Sequence, residues 1–199
     1  MKLYDISQEV MGCNVYPGDP APKAEVLQRT ERGDVCNLTA FSMCAHNGTH
    51  VDAPFHFYGD GKTVGELPLE HYIGPAYVAP HEGELTRVDA EKILADAEAK
   101  NHEAKKRILL KGRAVVTLEA AEVFFSGGLV LLGVESQTVG PEDAPMAVHL
   151  ALLKGDIVLL EGVRLSHVPS GVYLLHAAPL HLAGFDGAPC RATLMEVKS

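Results

Sequence analysis

The segment HNGTHVDAPFH, residues 46–56, concentrates metal-binding side chains in a short stretch of a 199-residue chain. Glycine, threonine, valine and proline separate these side chains and are poor helix formers, so we predict an extended backbone rather than a helix. Residues of equal parity share one face of a strand. We therefore predict that one extended segment aims two imidazoles and a carboxylate at a common point, with Gly48 leaving room between the histidines and Pro54 turning the chain afterwards. The two imidazoles and the carboxylate are those of His46, His50 and Asp52, and His56 follows the turn.

Imidazole and carboxylate groups are the ligands that zinc, manganese and iron accept in proteins. Two histidines and one aspartate leave coordination positions open, which favours a catalytic site over a closed structural one. The alternatives are a histidine-rich surface loop or a set of hydrogen-bonded core histidines. Three histidines and an aspartate of one parity around glycine and proline favour the metal site.

Composition limits the class of protein. Nearly half of the residues are apolar, which predicts a globular chain long enough for one domain with a real core. The formal net charge of -9 argues against binding to nucleic acid, which needs a positive surface. No apolar run reaches the roughly 20 residues of a membrane span, and MKLYDISQEV lacks the apolar core of a signal peptide. None of the four cysteines forms a C-x-x-C pair. We expect a cytoplasmic protein in which all four are reduced.

Hydrophobic periodicity predicts an α/β fold, a single domain with a mixed β-sheet and flanking helices. The clearest helix covers residues 86–100, with Thr86 and Asp89 as a capping box, and its charged face is expected to be solvated. Further helices are predicted at 117–128, capped by Thr117, and at 144–154. Residues 15–24 are predicted to form a loop rich in proline and glycine. Strands are predicted at 3–7, 37–46, 107–111, 129–135, 156–163, 171–178 and 192–197.

The segment at 46–56 also resembles a known signature. HNGTHVDAPFH matches every fixed position of the H-x-G-T-H-x-D-x-P-x-H pattern of the cyclase-like metal hydrolases, whose best-known members are bacterial kynurenine formamidases. VYPGDPAP, LLGVESQTVGPED and GAPCRATLMEV resemble other elements of that family, so the resemblance covers essentially the whole chain. It implies one domain over 1–199 with the swivelling β/β/α fold.

The resemblance also implies two divalent metal ions, for which zinc is the first expectation and manganese the alternative; iron(II) shares these ligands. It assigns one ion to His46, His50 and Asp52. The second would be held by the bridging aspartate with His149 and Glu161. A histidine in an apolar helix is more often a core residue, but a carboxylate at the end of an apolar strand needs a partner, and a metal supplies one.

The implied activity is hydrolysis of a non-peptide amide, with a metal-activated water attacking the carbonyl carbon. His56 would be the proton shuttle, since an imidazole can give and take a proton near neutral pH. The best-known reaction of the family converts N-formylkynurenine to kynurenine and formate in tryptophan catabolism. Tyr16 stands where the formamidases carry tryptophan before P-G-D. It can stack on an aryl substrate or pack under the N-terminal loop.

That replacement leaves the substrate open, because related members open cyclic amides such as isatin, and another small amide or a lactone remains an alternative. A different class is a metal-binding protein without turnover, which would have no need of His56 as a shuttle. A cupin barrel usually presents an H-x-H pair, which is absent here. The resemblance further implies a homodimer or homotetramer with the pocket near a subunit interface, a small-molecule partner, and no nucleic acid or membrane.

Overall fold

A nine-stranded mixed β-sheet forms the centre of the computed structural model, which describes residues 1–196. The strands are β1 (Leu3–Asp5), β2 (Lys23–Gln28), β3 (Leu38–Ser42), β4 (His50–Asp52), β5 (Ile73–Pro80), β6 (Gly83–Leu85), β7 (Arg107–Lys111), β8 (Ala114–Val116), β9 (Leu131–Val134), β10 (Val158–Glu161), β11 (Gly171–His176), β12 (Gly187–Pro189) and β13 (Thr193–Glu196). The helices are α1 (Leu69–Tyr72), α2 (Arg87–Lys100), α3 (Leu118–Ser126) and α4 (Met146–Leu153), with short 3-10 helices at Thr30–Arg32, Pro54–His56 and His102–Lys106.

The sheet order is β1-β13-β11-β5-β7-β9-β10-β4-β12. Its four central strands, β5, β7, β9 and β10, run parallel, and the strands on both sides pair antiparallel. Strands covered on both faces read as continuous apolar runs, as β7, β9 and β10 do. The predicted α/β class with a mixed sheet is confirmed.

The two faces of the sheet bury different side chains. Ile108 and Leu132 belong to the core under the helices, together with Phe124 of α3. On the opposite face, Val51 of β4 and Leu194 of β13 belong to one core, although they lie near opposite ends of the strand order. The sheet therefore curls so that its outer strands approach each other.

The predicted helix starts are confirmed. Thr86 accepts a hydrogen bond from the Asp89 amide and completes a capping box at the start of α2. Thr117 caps α3, which ends at Gly127. No helix in residues 1–196 has the length and apolar character that a membrane crossing requires.

One predicted strand and one predicted loop need correction, and the strand β5 was missed. The strand expected at 37–46 covers only Leu38–Ser42, and the loop expected at 15–24 ends earlier because β2 begins at Lys23. Strand β5 was not predicted, because it contains glycine and proline, which are depleted in strands. Pro75 is tolerated since pairing with β7 begins only at Tyr77. The end of the predicted strand 192–197 and of the domain 1–199 lies outside the described residues.

Candidate metal centre

Strand β4 positions two of the predicted ligands. It lies between β10 and β12, with His50 directly opposite Glu161 of β10. Directly opposed residues of an antiparallel pair project from the same face, and Asp52 follows two residues later on that face. Helix α4 adds the buried side chain of His149. Two neighbouring strands and one helix thus bring four polar side chains together.

His46 reaches the same point by a different route from the one predicted. The strand holds only His50–Asp52, and residues 45–49 form a turn and bends. Gly48 has φ +66, and a Cβ there would lie 2.9 Å from Cys13 Cβ, so the position needs glycine for its conformation as well as for space. The prediction of one extended segment is therefore wrong for its first half. The predicted turn at Pro54 is confirmed as the 3-10 helix Pro54–His56.

The first ligand group gathers around one oxygen of Asp52. His46 Nδ1 lies 2.8 Å from Asp52 Oδ1, and His50 Nε2 lies 3.3 Å from the same oxygen. These three residues offer ligand atoms within 4.8 Å of one another. The structure therefore brings together the two histidines and the aspartate of the sequence signature.

The second group shares Asp52. His149 Nε2 lies 3.7 Å from Asp52 Oδ2 and 3.4 Å from Glu161 Oε1. Asp52, His149 and Glu161 also satisfy the 4.8 Å limit, and His50 Nε2 approaches Glu161 Oε2 to 3.5 Å. Each oxygen of Asp52 faces a different group, as a bridging carboxylate requires.

Backbone carbonyls fix which nitrogen of two rings faces the carboxylates. His50 Nδ1 donates to the Gly48 carbonyl at 3.1 Å, and His149 Nδ1 donates to the Pro145 carbonyl at 2.9 Å. A carbonyl can only accept, so the Nδ1 atoms carry hydrogens and Nε2 is the ring atom on the side of the carboxylates that can bind a metal. Metal-binding histidines in proteins are held in the same way.

The electrostatics of the cluster call for a cation. Asp52 and Glu161 are about as buried as any side chain in the protein, at 1% and 2% exposure, and no lysine or arginine of residues 1–196 pairs with either. Glu161 Oε1 has no hydrogen-bond partner in the described part of the chain. Such carboxylates are costly to bury unpaired, and three imidazoles with two carboxylates form a donor set suited to a divalent metal.

The imidazole pKa values report the same negative field. Burial alone would lower the pKa of His50, but hydrogen bonds to Asp52 and Glu161 raise it to about 10. For His46, burial is likewise outweighed by its carboxylate partners, and its pKa rises to about 10. Burial would raise the pKa of Asp52, whereas hydrogen bonds from the two imidazoles lower it. The site thus favours positive charge at its centre.

His56 lies beside the cluster and outside both ligand groups that contain Asp52. Its ring stacks on His46 with centroids 4.1 Å apart, and its side chain is 29% exposed. Its Nδ1 lies 3.2 Å from Oδ2 of Asp186, an oxygen that also lies 2.8 Å from His46 Nε2. Sequence reasoning missed Asp186. The residue after it, Gly187, packs against the same site, since a Cβ there would lie 2.7 Å from His46 Cε1, but this contact is visible only in the structure.

A cavity of about 260 Å³ opens onto the cluster. Tyr16 lines it, as expected of a residue that could contact a substrate. Phe57, which the sequence analysis did not single out, also lines it and stacks on His149 at 4.8 Å between centroids. Aromatic side chains thus flank the polar centre, and the remaining lining residues are Asp19, His46, His50, Asp52, His56, Gln137, Thr138, Pro145, His149 and Glu161.

Comparisons with known proteins identify the family of the chain. The family model described as putative cyclase matches residues 4–141. A kynurenine formamidase of Bacillus anthracis is 35% identical, covering 98% of both chains, and one of Erythrobacter litoralis is 31% identical, covering 98% of this chain and 94% of its own.

Solved structures extend the likeness to the fold. A structure described as a potential metal-dependent hydrolase with cyclase activity has a TM-score of 0.81 and 26% identity, covering 100% of this chain and 99% of the other. Isatin hydrolase A from Labrenzia aggregata has a TM-score of 0.80 at 22% identity, covering 99% and 94%, which shows a shared fold.

The shared carboxylate of Asp52 yields a prediction about metal content. We expect Asp52→Asn to lose nearly all bound divalent metal, because both ligand groups use this side chain, whereas His149→Gln should lose only the metal of the second group. Metal per chain would be measured by elemental analysis of protein purified with zinc. Asp96→Asn, on the exposed side of α2, is the control. Equal metal content in Asp52→Asn and the control would contradict the assignment.

Proposed function

Since the chain belongs to the cyclase family and is a hydrolase of non-peptide C–N bonds, we propose that it is a metal-dependent arylformamidase cleaving N-formylkynurenine to kynurenine and formate. The observation that carries the proposal is the buried cluster of three imidazoles and two carboxylates at the base of a cavity with aromatic walls. Relatives named kynurenine formamidase match the chain over nearly its full length.

We assign His46, His50 and Asp52 to one divalent ion, and Asp52, His149 and Glu161 to a second. Zinc is the proposed metal and manganese the alternative. When bound, such ions acidify water toward neutral pH and polarise a carbonyl oxygen. The buried carboxylates supply the negative charge that holds the ions, and the carbonyls of Gly48 and Pro145 hold two of the rings with Nε2 facing inward.

His56 is the proposed catalytic residue that moves the proton. It lines the cavity, and its Nδ1 is occupied by Asp186, so its Nε2 is the nitrogen available to exchange a proton. In amide hydrolysis, water adds to the carbonyl carbon, the C–N bond breaks, and the nitrogen must leave protonated. His56 can take the proton released by the water and deliver it to that nitrogen. A site that only stabilised the fold would not need an imidazole in this place.

The substrate is proposed to be an aryl amide because aromatic side chains line the cavity. Tyr16 and Phe57 offer ring faces for stacking. A cyclic aryl amide, an isatin-like lactam, is the second candidate. It is favoured by Tyr16 in place of the tryptophan typical of formamidases and by the fold shared with isatin hydrolases. Both substrates contain an aryl nitrogen bound to the carbonyl that is attacked.

We also propose a homo-oligomer, a homodimer or a homotetramer, in the cytoplasm. Strands β2 and β3 form a separate two-stranded ribbon, and its apolar side chains Leu27, Leu38 and Phe41 are 47–60% exposed. Leu38 and Phe41 are three residues apart on β3 and so lie on opposite faces of the ribbon. Exposed apolar side chains of this size are typical of protein–protein contacts, and a second copy of the chain that contacts the ribbon is the proposed partner. The four cysteines are free thiols, in keeping with a reducing compartment.

The test of the proposed function is hydrolysis of N-formylkynurenine by purified protein, before and after chelation and after metal return. We expect turnover of about 1 s⁻¹ or faster, loss on chelation and recovery with zinc or manganese. Absorbance of the released kynurenine measures the rate. Isatin is assayed in parallel. Turnover of isatin alone would select the lactam, and no turnover of either by metal-loaded protein would refute the proposal.

Replacement of His56 separates proton transfer from metal binding. We expect His56→Ala to lower kcat for N-formylkynurenine by about 100-fold to 10⁴-fold, the usual contribution of a general acid–base group, with metal content unchanged. His102→Ala, an exposed histidine on a 3-10 helix, is the matched control. Unchanged turnover in His56→Ala would remove the shuttle assignment.

The oligomer proposal predicts that charge on the ribbon separates the subunits. We expect light scattering to give a multiple of 21.3 kDa for the wild type and a single-chain mass for the double variant Leu38→Glu/Phe41→Glu, because two carboxylates would be buried in the contact. Val88→Glu, an exposed apolar position on α2, serves as the control. A wild type that is monomeric at micromolar concentration would contradict the proposal.

A further inference from the structure

We propose that Asp186 is the positioning residue of the proton shuttle, holding His56 in one tautomer with Nε2 directed to the substrate. The inference rests on the proposed function. Its basis is a single carboxylate oxygen, Oδ2, that lies 3.2 Å from His56 Nδ1 and 2.8 Å from His46 Nε2. The two rings it joins are stacked, with an interplanar angle of 30°.

The tautomer follows from the chemistry of the partner. A carboxylate only accepts hydrogen bonds, so the hydrogen of a neutral His56 ring lies on Nδ1, and Nε2 keeps its lone pair. A proton taken up during the reaction must then enter and leave at Nε2. A histidine oriented by a carboxylate in this way is the general arrangement of catalytic bases that need a third group to position them.

The backbone around Asp186 is fixed to the strand that carries the ligands. Its carbonyl accepts a hydrogen bond from the Ala53 amide at 2.8 Å, and the next residue, Gly187, pairs with Asp52 on β4. The carbonyl before it, of Phe185, accepts from the Val64 amide at 2.9 Å. Main-chain contacts on both sides therefore fix the backbone from which the carboxylate of Asp186 projects.

The same three side chains, His46, His56 and Asp186, could also hold a metal ion, since their ligand atoms lie within 4.8 Å of one another. Two features favour positioning. His46 would have to bind ions through both of its nitrogens, and Asp186 is 40% exposed, unlike the buried carboxylates of the cluster. Metal content of the variants distinguishes the two roles.

The proton balance of the reaction shows where Asp186 should matter. Water adds to the formyl carbon and gives up a proton, the C–N bond breaks with its electron pair going to nitrogen, and His56 Nε2 returns that proton to the nitrogen. A 4-nitrophenolate leaves an ester without needing a proton. A residue that acts through His56 should therefore be more important for an amide than for an activated ester with the same acyl group.

The test compares formanilide with 4-nitrophenyl formate on metal-loaded protein. We expect Asp186→Asn to lower kcat for formanilide by about 10–100-fold, the range found when the hydrogen-bond partner of a metal-bound histidine is replaced. The ester rate should fall much less, and metal content measured in excess metal should stay unchanged, because all the proposed ligands remain in place. His56→Ala should show the same selectivity, and Asp186→Asn combined with His56→Ala should be no slower on the amide than His56→Ala alone. Asp96→Asn is the control, on a helix that contributes nothing to the cavity.

Three results would overturn the inference. The first is an equal loss of kcat on the amide and on the ester, and the second is loss of metal from Asp186→Asn. The third is an additive double variant, in which adding Asp186→Asn to His56→Ala lowers kcat for the amide as much as it does in the wild type. Asp186→Glu, which keeps the acceptor, guards against misfolding of the first variant. We expect the ratio of kcat for the amide to kcat for the ester to be higher in Asp186→Glu than in Asp186→Asn. If the two variants had the same ratio, the inference would also be overturned. A wild type that cleaves neither N-formylkynurenine nor formanilide refutes the proposed function itself, which is a separate outcome.

Discussion

The buried carboxylate of Asp52 is the constraint on which the site depends. It lies on β4, between β10 and the edge strand β12, at 1% exposure, with imidazoles against both of its oxygens. A lone buried carboxylate is strongly destabilising unless it is paired or binds a metal, and the described chain pairs it only with histidines. The rest follows from this requirement: β10 must lie beside β4 to bring Glu161, and α4 must cover this face of the sheet to bring His149.

Hydrogen bonds to main-chain carbonyls hold the segment before β4 in place. The Gly48 carbonyl accepts from His50 Nδ1 and from Gln137 Nε2, at 3.1 and 3.0 Å, while Thr49 Oγ1 donates to the carbonyl of Gly162 at 2.8 Å. The turn that carries His46 is thereby tied to the loops that follow β9 and β10. These contacts fix the backbone next to His46 although the segment lies outside regular secondary structure.

What the sequence could predict was local. The parity of His50 and Asp52 places both on one face, and Glu161 is conspicuous because it ends an apolar strand. The structure brings both observations into one cluster. The turn at Gly48 could not be read from parity, because a single left-handed residue changes the direction of every side chain before it. His149 was identified through the family resemblance, since nothing in its apolar helix marks it as a ligand. Asp186 is 130 residues from His56 in the sequence, and only the folded sheet brings the two side chains together.

Burial separates the roles of two residues of the same type. Asp52 is buried and has imidazoles beside both of its oxygens, so it can serve as a fixed charge. Asp186 is 40% exposed and contacts two rings through one oxygen. His46 connects them, with Nδ1 on Asp52 and Nε2 on Asp186. One imidazole thus belongs both to the proposed ion site and to the stack that holds His56. The geometry that binds the metal and the geometry that moves the proton are mechanically linked, and a shift of this ring would alter both.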